Sequence, residues 1–176
     1  MSKRSEGNRH AVEDYHPWST YLDAREEARL RGDRKVGTEH LAVALLMEPQ
    51  IAGALGCDPP AARAALHALD RQSLMVLGLD AALEPAAPTP TTNERAPRRP
   101  SIKTLLNRDR LGLTPAAKDV LRDSSRDMRK PGRRHPGPEH VALELLQRQR
   151  PDPAAELFAA LGVDPVAARQ RLASER

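Results

Sequence analysis

The sequence predicts an all-α protein of about eight helices, built as two pseudo-symmetric four-helix repeats packed together. Three observations carry this reading. Ala and Leu, among the best helix formers, are abundant, while the strand-favouring aromatics amount to one Phe, one Trp and two Tyr. The stretch "LGCDPPAARAAL" (55–66) returns as "LGVDPVAARQRL" (161–172), identical at eight of twelve positions. The stretch "VGTEHLAVALL" (36–46) returns as "PGPEHVALELL" (136–146), with Gly37, Glu39, His40, Ala42, Leu45 and Leu46 matched by Gly137, Glu139, His140, Ala142, Leu145 and Leu146. A unit repeated in the same order buries a continuous core only by packing on its copy.

In chain order, residues 1–17 read as a flexible tail, 18–83 as the first repeat, 84–112 as a linker and 113–176 as the second repeat. "WSTYLDAREEARLRG" opens the first repeat as a helix, with Tyr21, Leu22, Arg25, Ala28 and Arg29 expected on one side and Gly32 as its stop. "TEHLAVALLM" is short and nearly all apolar, so it belongs in the core. "AGALG" gives a third helix; Asp58, an N-cap with Pro59 behind it, starts a fourth, and "LDRQSLMVLGLDAAL" (69–83) extends it. The linker carries Pro85, Pro88, Pro90, Pro97 and Pro100, which exclude a helix, and "SIKTLLNRDR" is a candidate short helix after it. In the second repeat Thr114 caps a helix that presents Ala117, Val120, Leu121, Ser124 and Met128 on one face, and Gly132 stops it. "PEHVALELLQ", "AELFAALG" and the helix capped by Asp164 at Pro165 complete the set.

Several chemistries are excluded. The lone Cys57 permits neither an internal disulfide nor a thiolate cluster. "GDRKVGTE" (32–39) has the glycine spacing of a phosphate-binding loop, but Glu39 stands after Thr38 where Lys-Ser/Thr is required, so ATP hydrolysis is not expected. Glu39–His40 and Glu139–His140 are not zinc-protease helices, because positions 44 and 144 are Ala and Glu. The expected reading is no enzyme, no metal and no cofactor, with both histidines packing or hydrogen bonding at a helix start. No stretch approaches the roughly 18 apolar residues of a membrane span, and a cytoplasmic location is the expectation.

Charge is uneven. The chain is +4 overall, but residues 13–84 carry −5 and residues 88–134 carry +8. A basic segment suits an acidic partner, protein or nucleic acid. The segment has no aromatic to stack on bases and no recognition helix, so nucleic acid is the alternative rather than the leading partner.

The Gly-Thr-Glu-His core of the first repeat, "LTPAAKDVL" and "LGVDPVAARQRL" resemble the amino-terminal repeat domain of the Clp AAA+ unfoldases, over roughly 18–83 and 113–174. The resemblance implies a non-enzymatic module, here without the ATPase, that modulates Clp-dependent proteolysis. Its implied partners are protein substrates or adaptors of a Clp protease, or the unfoldase itself. It further implies that Glu39 and Glu139 contact the guanidinium of phosphoarginine on tagged proteins, with Thr38 and Thr114 as accompanying ligand-binding candidates. A carboxylate pairs naturally with a guanidinium, and N–H groups at a helix start accept phosphate. Read from the residues alone, an acid at the first helical position also simply complements the helix dipole. Pro138 and Pro136 replace the threonine and the apolar residue of the motif in the second repeat.

Overall fold

The computed structural model describes residues 17–78, 111–128 and 137–174. The greater part of the proline-rich linker, the candidate helix at 101–110, the stop at Gly132 and most of the basic segment lie outside the described residues. Eight α-helices are described. The first repeat holds α1 (Pro17–Arg31), α2 (Thr38–Leu45), α3 (Pro49–Leu55) and α4 (Pro59–Val76); the second holds α5 (Pro115–Met128), α6 (Pro138–Leu145), α7 (Pro153–Ala160) and α8 (Pro165–Ser174).

The starts and stops are written locally. Seven of these helices begin on proline, whose missing N–H costs nothing in the first turn; α2 alone begins on a threonine. Asp58 caps α4 by accepting the Ala61 N–H at 2.8 Å, and Asp164 caps α8 by accepting that of Val166 at 2.8 Å. Gly56 and Gly162 end α3 and α7 in the left-handed region, both at φ 69°. The next residue's N–H then closes back on a helix carbonyl, Cys57 on Ala52 and Val163 on Phe158. The repeated "LGxDP" is therefore a glycine stop joined to an Asp-Pro start.

Packing gives each main contact in one repeat its counterpart in the other. The pair α1–α2 corresponds to α5–α6, α2–α7 to α6–α3, α3–α8 to α7–α4, α2–α4 to α6–α8 and α1–α6 to α5–α2, while α1–α5 and α2–α6 correspond to themselves. The pseudo-two-fold thus passes between α2 and α6, whose Leu41, Leu45, Val141 and Leu145 are fully buried. The third and fourth helices of each repeat pack on the other repeat, so each half completes its partner's core.

Two features differ from expectation. Lys35–Val36 (β1) and Gly112–Leu113 (β2) form a two-residue parallel pair, extended by the Thr114 N–H to the Val36 carbonyl at 2.9 Å. Two residues are too few to register as a period in sequence. The inward face of α1 is Pro17, Thr20, Ala24, Glu27 and Ala28; of the expected side, Ala28 is buried and Tyr21 packs against the core, whereas Leu22 is half exposed and Arg29 is exposed. The physical reason is close approach to α2, which small alanines allow and leucine does not. On α5 the expected face holds for Ala117, Val120, Leu121 and Ser124, all buried.

Candidate functional site

Gly37 and Gly137 are the N-caps of α2 and α6, so Glu39 and Glu139 stand at the second helical position, one residue deeper than the sequence placed them. Both glycines have extended, negative-φ backbones. A Cβ on Gly37 would meet the Glu39 carboxylate, and one on Gly137 that of Glu139, so with any other residue the carboxylate would have to swing aside. Each glutamate folds back over its own N-cap, where the N-terminal end of the helix favours negative charge. Their side chains keep 17% and 20% of their surface exposed, enough to be reached from solvent.

The adjoining histidines lock this turn in two different ways. His40 is buried; its Nδ1 accepts the Gly37 N–H at 3.0 Å, and its Nε2 lies 2.9 Å from Asp33 Oδ2. That pattern assigns the proton to Nε2. Glu39 Oε1, 3.1 Å from Nδ1, then faces a lone pair rather than a donor. Its Oε2 is buried with no hydrogen-bond partner among the described residues. His140 Nδ1 instead lies 3.3 Å from the Gly137 carbonyl and 3.2 Å from Glu139 Oε1, two acceptors that assign the proton to Nδ1. Its Nε2 is buried without a partner among the described residues. Position 133, where the repeat offset would put a counterpart of Asp33, is an arginine. The Glu39 carboxylate is therefore the less satisfied of the two inside the protein's own network.

The two threonines serve the fold. Thr38 is 1% exposed, and its hydroxyl donates to Asp152 Oδ1 at 2.7 Å. The same Oδ1 caps α7 by accepting the Ala154 N–H at 2.9 Å. Thr38 thus clasps the start of α2 to the start of α7 in the other repeat, and its hydroxyl is spent inside the protein. Thr114 Oγ1 caps α5, accepting the Ala117 N–H at 3.2 Å.

Sequence reading missed a charged network beside this turn. Arg63 on α4 grips Glu27 on α1 through Nε (2.9 Å to Oε2) and Nη2, and this bond pushes the guanidinium pKa upward. Arg31 donates Nε to Asp33 at 3.1 Å and Nη2 to Asp70 at 2.9 Å. Asp33 therefore bridges Arg31 and His40. Charges this far apart in sequence announce no pairing; the one available signal was the repeat register, in which Thr20 and Ala24 align with the buried Val120 and Ser124. That alignment would have set the face of α1. Among the described residues no helix is long and apolar enough to cross a membrane, and no cluster of side chains is arranged to hold a metal ion.

A comparison with curated proteins finds no match. The family model of the Clp repeat (R) N-terminal domain matches residues 17–152, from the first turn of α1 to the cap of α7. That span takes in both Gly-x-Glu-His turns and runs through most of the interlocked helices. The chain belongs to the Clp repeat N-terminal domain family.

Proposed function

We propose that this chain is a non-enzymatic, Clp-related interaction module that modulates Clp-dependent proteolysis by binding protein substrates, adaptors or the unfoldase itself, and that Glu39 and Glu139 are its contacts for the guanidinium of phosphoarginine. Family membership supports the interaction module in general terms. The observation that carries the finer reading is the paired turn: two glutamates at equivalent positions, each held over a glycine N-cap and each reachable from solvent. Glu39, with one oxygen unpaired and the other facing a lone pair, has acceptor capacity to give to a guanidinium. Thr38 and Thr114 enter this proposal as supports of the turn and of α5, since their hydroxyls already hold caps.

Calorimetry with phosphoarginine and with free arginine tests the reading on the wild type, Glu39→Ala and Glu139→Ala. A charge-assisted hydrogen bond contributes about 1.5–3 kcal/mol, so each substitution should weaken its own site about tenfold or more. Equal binding of phosphoarginine and arginine would refute phosphate recognition. Indifference to both substitutions would leave the glutamates as helix-start residues only.

A further inference from the structure

Beside the Glu39 turn, α1, α2 and α4 border a partly open pocket of about 80 Å³ whose walls include Leu30, His40, Val43 and Leu66 as well as Arg31, Arg63 and His67. A neighbouring, more open hollow of about 400 Å³ is lined by Asp33, Asp70, Ser73 and Leu74, and the two share Arg31 and His67. Arg31 lies between them with its side chain 17% exposed. Its Nε and Nη2 are held by Asp33 and Asp70, but Nη1 is buried with no hydrogen-bond partner among the described residues. A buried guanidinium nitrogen without an acceptor is costly, and carboxylate is the group whose geometry fits that fork. In the smaller pocket the one acid, Glu27, is already gripped by Arg63.

We propose that this pocket receives the C-terminal residue of a polypeptide, with its carboxylate on Arg31 Nη1 and its aliphatic side chain against Leu30, Val43 and Leu66. The preceding residues run through the larger hollow, where Asp33 and Asp70, each still partly exposed, accept backbone N–H groups or a basic side chain. This alternation of acceptor and donors is what a chain terminus presents, and it balances the local surplus of acid that a bare anion would meet. The exposed side chains Leu30 and His67 form the rim. The site adjoins the Glu39 turn through His40 but is not lined by Glu39 itself, and it does not depend on phosphoarginine.

Fluorescence anisotropy on the full chain tests it with a labelled hexapeptide ending in Arg-Ala-Leu as the free acid, the same peptide as its C-terminal amide, and isovalerate as competitor. The free acid should bind at least tenfold more tightly than the amide, and isovalerate should compete only weakly. Equal binding of acid and amide overturns the proposal. Isovalerate competing as strongly as the unlabelled peptide overturns the polypeptide as ligand and leaves a site for small acids. Leu30→Glu, a substitution at the exposed rim that breaks no ion pair, should reduce binding at least tenfold; no effect overturns the placement. Saturating phosphoarginine should leave this binding unchanged, which separates failure of this site from failure of the other.

Discussion

At the scale of single residues, the Gly-x-Glu-His turn ties the glycine to the glutamate through space. Gly37→Ala puts a methyl where the Glu39 carboxylate lies; that carboxylate is the far end of a flexible side chain and can swing aside, so the cost should stay below about 1 kcal/mol. In the double variant Gly37→Ala/Glu39→Ala the clash is gone, so the second substitution should restore much of the loss. Chemical denaturation of the four proteins measures that coupling, and additive costs would show that the glycine is needed for another reason. Cys57 makes a simpler case. Burial, and then the neighbouring Asp58 charge, raise its thiol pKa, so little thiolate forms near neutral pH. Iodoacetamide at pH 7.5 should modify it more slowly than a cysteine in an unstructured peptide, and denaturant should erase the difference.

At the scale of elements, the two clasps between helices are of different kinds. Thr38→Val keeps the shape of the side chain and loses its bond to Asp152 and the long one from the Ala154 N–H, a cost of about 1 kcal/mol. Asp152→Ala removes that bond and the α7 cap together, leaving the buried Thr38 hydroxyl only its long contact from the Ala154 N–H, and should cost about 2 kcal/mol or more. Between α1 and α4 the asymmetry lies in exposure: the Glu27 side chain is 9% exposed and that of Arg63 is 39%. Arg63→Met strands a buried carboxylate and should cost about 2–3 kcal/mol, whereas Glu27→Gln leaves a guanidinium that water can reach and should cost less. Thermal unfolding of the two variants compares them directly, and a larger loss for Glu27→Gln would contradict this account.

At the scale of the whole molecule, interlocking makes the halves interdependent. Because α3 and α4 pack on α8 and α7, residues 17–78 on their own would expose the faces that now meet the other repeat, on a helix α3 that buries Ile51, Ala54 and Leu55. That fragment should show no cooperative unfolding by circular dichroism, and mixing it with 111–176 should restore helix if the two recombine. A fragment that folds alone as a monomer would show that the repeat is an independent domain. The exchange symmetry of the contacts also makes the two glutamate turns equivalent in position, while Asp33 against Arg133, and Thr38 against Pro138, make them unequal in chemistry.

The sequence by itself determined the helices, their duplication and many of their starts and stops. Those features rest on local rules: proline tolerated only in a first turn, aspartate accepting orphan N–H groups, glycine alone entering the left-handed region without cost, and apolar runs too long to leave in water. Each can be checked within a dozen residues, as at Gly56–Pro59 and Gly162–Pro165. The tertiary structure decided which face of α1 turns inward, the β1–β2 pair, the Thr38–Asp152 clasp and the Arg31 and Arg63 networks. These join residues up to 114 positions apart, and no local period encodes which charge will meet which. Glu39 and Glu139 were legible as a pair because the motif repeats. Their seating over glycine, and the opposite tautomers of His40 and His140, depend on where the chain places a proton acceptor in space.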